Sequence, residues 1–332
     1  MGEKIIAIEY YLPEGLLTNV DLEGMFENWN AQKIEEKTGI NCRHIVRENE
    51  TALDLAYRAC EKLFEYYPRE KVDFLLLCTQ SPEYYLPTTA CILQDRLKLR
   101  TNIGAFDFNL GCSGFVYGLA IAKGLIQTSV AKSVLLVTSE TYTKHISSKD
   151  KGNLSIFGDG AAATIIEYND KKSFKEFILG TDGSGFSNLI VPNGGLRQRY
   201  NPQAIETTDE NGSCRTENNL FMNGPEIFNF SIASVPKAFN EILLKNSITI
   251  EDIDFVIFHQ ANKYMIEYLR KKIKIPEEKF YINMKYTGNT VSSTIPIALK
   301  NCIDNHKVKS GDFVLLLGFG VGYSWAGTVI QL

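Results

Sequence analysis

The chain has 332 residues, of which 44% are hydrophobic, enough to bury a large core as one broad domain or two fused halves. A net charge of −4 gives no reason to expect nucleic-acid binding. Seven scattered cysteines without a C-x-x-C pair argue against a disulfide framework or a zinc site and suit a reducing, cytoplasmic setting.

Taken in order, residues 1–8 read as a strand and lack the apolar core of a signal peptide. A buried strand at 72–80 is followed by a helix over 88–97, then by a second strand, 105–109, that ends in a glycine turn. Helix 114–127, strand 133–138 and a small-residue strand, 158–166, complete this series. The same order then recurs as strand 253–260, helix 263–273, strand 280–284, a turn at Gly288-Asn289, helix 292–303, strand 312–317 and strand 322–330. The apolar tract 313–330 carries four glycines and reads as two strands around a turn rather than a membrane helix, so no membrane insertion is expected. The repeat predicts an α/β fold of two pseudo-twofold related halves, 1–170 and 171–332, whose loops meet at one face.

That arrangement brings three residues to comparable places. Cys112 stands where strand 105–109 turns through Gly111-Cys-Ser-Gly114 into a helix. A thiol there faces unpaired N–H groups and the positive end of the macrodipole, so thiolate, the nucleophilic form, is expected. His259, one of four histidines, ends the first strand of the second half, and Asn289 occupies the turn equivalent to that of Cys112. Singly, a packed cysteine, a capping histidine and a turn asparagine are the commoner readings. As a trio at the carboxyl ends of strands they mark a site, with Cys112 in the half 1–170 and the other two in 171–332. The order cysteine, histidine, asparagine also fits a papain-like protease, although Cys112 lacks the surroundings of that nucleophile.

Further segments share a common pattern: Thr38-Gly-Ile40, Arg43-His-Ile45, Gly111-Cys-Ser-Gly-Phe115, Phe157-Gly-Asp-Gly-Ala161, Met222-Asn-Gly-Pro-Glu-Ile-Phe228, His259-Gln-Ala-Asn262, Gly288-Asn-Thr290 and Phe319-Gly-Val-Gly322. In these segments, and in their order, the sequence resembles the β-ketoacyl-acyl carrier protein synthase III family of thiolase-fold condensing enzymes. The resemblance implies a thiolase-like fold with layered α-β-α-β-α architecture. It also implies an acyltransferase in which Cys112 accepts an acyl group and condenses it with malonyl-acyl carrier protein after decarboxylation, for fatty-acid initiation or a specialised pathway. His259 and Asn289 would then donate to the enolate oxygen, and the backbone N–H groups of Cys112 and Val321 would form the oxyanion hole of acyl transfer. Asn262 and Phe319 would support the histidine and the nucleophile. Leu86 and Pro87 match a loop reaching across a homodimer interface to the partner's acyl pocket, and Lys271 and Lys272 match a patch that receives the acidic carrier protein. No cofactor or metal is implied beyond acyl and malonyl thioesters of carrier protein or coenzyme A. Acyl transfer to a hydroxyl or amine is the alternative reading, and a non-catalytic subunit a more distant one, since such a subunit would lack one of the trio.

Two departures bear on the donor. Where coenzyme A-using members sandwich the adenine between a tryptophan and an arginine, this chain has Lys33 and Lys151, and lysine has no planar face to stack. The expected donor is therefore carrier-bound or a specialised thioester, with free acetyl-coenzyme A a poor primer. Tyr264 replaces the family's arginine two residues after Asn262. The polar stretch 194–219 is expected to act as a lid over the mouth, with the loop 144–153 at the same face.

Overall fold

A computed structural model describes residues 2–332; Met1, the first residue of the predicted N-terminal strand, lies outside the described residues. The first half comprises β1 (Gly2–Tyr11), α1 (Ala52–Phe64), β2 (Phe74–Cys78), α2 (Thr89–Arg96), β3 (Gly104–Phe108), α3 (Gly114–Gln127), β4 (Ser133–Glu140) and β5 (Gly160–Asn169). Its sheet has the order β1-β5-β4-β2-β3, with β2 parallel to both β3 and β4 and the other pairs antiparallel. Every residue of β4 is buried, as its unbroken apolar run requires of a strand covered on both faces. Capping explains where α1 begins: Thr51 and Asp54 exchange side-chain and backbone bonds in a capping box.

The second half adds β6 (Ile178–Thr181), α4 (Gly224–Asn246), β7 (Phe255–Phe258), α5 (Lys263–Ile273), α6 (Thr294–Asp304), β8 (Phe313–Gly320) and β9 (Ser324–Gln331). Its sheet runs β7-β8-β9-β6, with β7 and β8 parallel and the other pairs antiparallel. Helix α4 starts at the Met222-Asn-Gly-Pro segment because the Asn223 side chain accepts the Glu226 N–H and Pro225 needs no donor in the first turn.

Alternation along the strands builds the layers. Leu76, Leu136, Val314 and Leu316 point into one core with Phe115 and Leu119 of α3 and Ile295 and Leu299 of α6, so these two helices lie between the sheets. Leu75, Leu77 and Leu135 point outward against α1 and α2, and Leu315 and Leu317 against α4 and α5. The result is the α-β-α-β-α order of a thiolase fold.

One expected strand does not form. Residues 280–284 make only an isolated bridge, Val256 to Phe280. The Gln260 side chain takes the backbone groups a ladder would use, accepting from Asn283 N–H at 2.7 Å and donating to the Tyr281 carbonyl at 3.4 Å. Among the described residues, no helix is long and apolar enough to cross a membrane, and no group of His, Cys, Asp or Glu could hold a metal ion.

Candidate active site

Strand β3 carries the chain to a turn in which Gly111 is closely packed: an added Cβ would lie 2.6 Å from Gln80 Oε1 and 2.6 Å from Val321 Cγ1. Cys112 follows, 6% exposed, with Ser113 as the N-cap of α3. A side chain at Gly320 would come within 2.7 Å of the Cys112 sulfur, so the space beside the thiol depends on that glycine. The expected thiolate is not the resting form. Burial pushes the Cys112 thiol up to about 12, outweighing the Val321 and Cys112 backbone N–H groups that favour the anion. The helix start gives little help because Gly114 N–H is spent on the Gly111 carbonyl at 2.8 Å.

His259 directly follows β7, its N–H bonded to the Leu317 carbonyl at 2.9 Å, and is 2% exposed. Burial lowers its pKa to about 3, so the ring is neutral. Nδ1 lies 2.7 Å from Thr294 Oγ1, which leaves Nε2 for the cavity, and Phe319 meets the ring edge-on at 5.9 Å. Asn289 is held from the other half: its N–H donates to the Ile156 carbonyl at 2.9 Å and its carbonyl accepts from Gly158 N–H at 3.1 Å. The neighbouring Gly288 adopts φ 67° and has Arg43 and Ile156 packed on it. Asn289 Oδ1 accepts the Val291 N–H at 2.9 Å, which commits the amide oxygen and turns the two N–H bonds of Nδ2 to other partners.

Cys112, His259 and Asn289 line one cavity of about 140 Å³ together with Asn262 and Phe319. Its apolar walls are Ile156, Phe157, Leu189, Met222, Ile227 and Met265. Asn262 caps α5, its side chain accepting Met265 N–H at 2.9 Å. Val321 lies outside the left-handed region, and the positive φ of its turn falls on Gly322 at 139°, so a β-branched residue is compatible with an N–H aimed at the sulfur. Glu140 is wholly buried between the Cys112 and Asn289 corners, accepting from Gln80 N–H at 3.0 Å and from the Ser292 hydroxyl at 2.9 Å.

The mouth outside is a cleft of about 950 Å³ walled by 28–38, 150–156 and the hairpin at Thr207–Thr208 and Cys214–Arg215. The stretch 194–219 is thus tied down beside the entrance, with Lys149–Glu206 and Arg215–Asp209 ion pairs at 2.9 and 3.3 Å. Lys33 and Lys151 are both there, but so is Trp29, whose ring lies 6.0 Å from Lys151 Nζ. The mouth also holds planar groups that the reading of Lys33 and Lys151 left out: Trp29, in the loop that leads into helix Ala31–Thr38, and Arg215, whose guanidinium lies 4.7 Å over the Phe221 ring. Leu86 and Pro87 do not reach the cavity of their own chain; Leu86 is 82% exposed. On α5, Lys271 is exposed, Lys272 Nζ bonds the Ile232 carbonyl at 2.9 Å, and Tyr264 stacks on Phe228. Sequence reasoning missed Thr294, Glu140, Trp29 and the cavity walls. Of these, only Phe157, Met222 and Ile227 carried a signal, lying in segments already noted.

A thiol and two neutral N–H donors enclosed between duplicated α/β halves are the equipment of a thiolase-fold condensing enzyme, and the neutral cysteine and histidine are the opposite of the ion pair of a papain-like protease. Comparison with known proteins gives the family. The models for 3-oxoacyl-[acyl-carrier-protein] synthase III and for its C-terminal region match residues 106–183 and 243–332. The β-ketoacyl-[acyl-carrier-protein] synthase III of Caldanaerobacter subterraneus subsp. tengcongensis is 38% identical, over 100% of this chain and 99% of the relative. That of Clostridium perfringens strain ATCC 13124 is 36% identical, over 99% of each. A crystal structure of a 3-oxoacyl-(acyl-carrier-protein) synthase III superposes with a TM-score of 0.98 at 46% identity, covering 100% of both chains. The Burkholderia xenovorans LB400 synthase gives 0.92 at 34%, covering 100% of this chain and 94% of the other. The chain belongs to the β-ketoacyl-acyl carrier protein synthase III family and is an acyl-transferring condensing enzyme.

Proposed function

We propose that Cys112 is acylated by a thioester and then condensed with malonyl-acyl carrier protein. In the first step the Cys112 sulfur bonds to the thioester carbonyl carbon, the donor's carbon–sulfur bond breaks, and the thiol proton ends on the departing thiol. The carbonyl oxygen is held meanwhile by the N–H groups of Cys112 and Val321. In the second, malonyl thioester releases carbon dioxide and the enolate oxygen takes hydrogen bonds from His259 Nε2 and Asn289 Nδ2. The carbanion carbon bonds to the acyl carbon, the bond to Cys112 breaks, and the sulfur regains a proton from water, giving a β-ketoacyl thioester. The observation carrying this reading is the enclosure of Cys112, His259 and the oriented Asn289 amide in one cavity. Acyl transfer to a hydroxyl or amine needs a base, and a histidine with a pKa of about 3 is a poor one.

Asn262 and Phe319 support the site by capping α5 and by packing on His259, respectively. The cavity of about 140 Å³ favours a short acyl group, since a cavity of roughly 150 Å³ holds one benzene-sized molecule. With Lys33 and Lys151 lining the mouth where coenzyme A-using members place a tryptophan and an arginine, the preferred donor is carrier-bound. The exposed Lys271 beside Lys272 is the docking patch for the carrier. Leu86 and Pro87, with exposed Tyr84 and Tyr85 and the unpaired edge of β3, belong to a homodimer interface through which they approach the partner's acyl pocket. The division into 1–170, bearing Cys112, and 171–332, bearing His259 and Asn289, is supported by each main sheet drawing its strands from one side of that boundary. Thioester substrates suffice without a cofactor, and the protein works in the cytoplasm, where its free cysteines stay reduced.

Intact-mass measurement tests the reading. Acetyl to butyryl groups should accumulate on Cys112 and not on Cys112→Ala, while octanoyl should load roughly tenfold more slowly because overfilling costs about 1–3 kcal/mol. Label spread over other cysteines, with Cys112 spared, would refute it. Matched acyl chains on coenzyme A and on carrier protein compare the donors; no gain from the carrier-bound form would remove that preference.

A further inference from the structure

The imidazole of His259 can serve the enolate only if its one proton sits on Nε2, and nothing about a neutral ring alone dictates that. Its other nitrogen has Thr294 as its partner, Nδ1 to Oγ1 at 2.7 Å, with Thr294 only 3% exposed. The threonine hydroxyl has a single proton and two places to send it: His259 Nδ1, or the Val291 carbonyl 3.0 Å away. If it goes to the carbonyl, the ring must donate from Nδ1 and Nε2 is a bare lone pair. If it goes to the ring, Nε2 carries the hydrogen.

Two observations favour the second. The Val291 carbonyl already accepts the backbone N–H of Thr294 and does not need the hydroxyl. The 2.7 Å separation lies at the short limit for N–H donors to oxygen and well within the range of bonds donated by a hydroxyl. The loop is also held in register for this contact: Val291, a β-branched residue at φ 56°, is kept there by its N–H bond to Asn289 Oδ1 at 2.9 Å. Asn289 and Thr294, five residues apart, thus orient the amide and the imidazole from one segment.

We propose that Thr294 is a positioning residue that donates its hydroxyl proton to His259 Nδ1 and so fixes the ring as the Nε2–H tautomer, the form able to stabilise the enolate. This rests on the condensation reading above, but the tautomer itself can be measured without it. Nitrogen-15 NMR of the full-length protein labelled at histidine should show His259 with Nε2 protonated and Nδ1 bare; a protonated Nδ1 in the resting protein would overturn the proposal whatever the activity. Thr294→Val keeps the shape and removes the hydroxyl. It should lower malonyl decarboxylation on the order of 10²-fold, comparable to losing a preorganised donor, while self-acylation of Cys112 stays within about twofold. Thr294→Ser should restore both the decarboxylation rate and the wild-type nitrogen shifts. Equal loss of both half-reactions in Thr294→Val, or no rescue by serine, would mean the threonine acts only through packing, and the proposal fails. Absence of any acyl group on Cys112 in the wild type, with the Nε2–H tautomer intact, would instead overturn the condensation reading alone.

Discussion

The two strand-to-helix corners that face each other across the cavity occupy equivalent places in the repeat and are built in opposite ways. At the Cys112 corner, β3 is a full member of its sheet, paired with β2 along its length, and the nucleophile follows as the next rigid turn. At the Asn289 corner the matching strand is missing, and the segment hangs on the Gln260 side chain and on backbone bonds to residues 156 and 158 of the other half. The strand that leads to the nucleophile is therefore placed by its own half and the loop that carries Asn289 by contacts between halves, while Cys112 itself is walled by Gly318, Gly320 and Val321 of the second half. A perturbation of the bonds to residues 156 and 158 should reach condensation before it reaches acylation.

The sharpest test separates the chemistry of the two corners. His259→Ala and Asn289→Ala should each lower malonyl decarboxylation by roughly 10²–10³-fold, the usual effect of losing one preorganised donor, with Cys112 still acylated. Equal loss of both half-reactions, followed separately by carbon dioxide release and by mass, would erase the contrast.

Next come the glycines. An alanine Cβ at Gly288 would sit 2.9 Å from Arg43 Cβ and 3.0 Å from the Ile156 carbonyl, at φ 67°, so Gly288→Ala should cost about 1–3 kcal/mol and impair decarboxylation first. Gly111→Ala collides with Gln80 and Val321 and should impair acylation first. Thermal unfolding together with the two half-reaction rates would show whether the pattern is crossed in this way.

A smaller effect is expected from Gln260→Leu, which leaves the half-buried Asn283 N–H unpaired and should cost about 1 kcal/mol. Hydrogen exchange should rise over 280–289 and stay unchanged over 104–112. Uniform exchange over both segments would show that one side chain does not stand in for the missing strand.

The mildest test concerns Glu140, the carboxyl shared by both corners. Burial raises it from 4.5 to about 8, so the folded state holds a proton that the unfolded chain releases. The stability tied to that proton is fully present below pH 4.5 and is lost as pH rises through about 8. Asp159, raised to about 6, contributes a similar decline at lower pH. Urea midpoints should thus fall between about pH 6 and 8 in the wild type and stay flatter in Glu140→Gln; matching slopes would mean Glu140 is ionised in the fold.

The amino-acid sequence by itself determined the order of elements and the trio. Unbroken apolar runs such as 133–138 belong to strands covered on both faces, glycine turns mark strand ends, and the recurrence of that order in 253–330 put Cys112, His259 and Asn289 at equivalent corners. Local pattern also located α3, predicted over 114–127 and found as Gly114–Gln127. Tertiary structure decided what depends on desolvation and on partners distant in the chain. The thiol of Cys112 is raised, not lowered, because burial outweighs a helix terminus whose first N–H is already bonded. Strand 280–284 is absent because a glutamine from the loop after β7 takes its hydrogen bonds. Trp29 reaches the mouth, and Thr294 reaches His259, through space that no spacing in the sequence records.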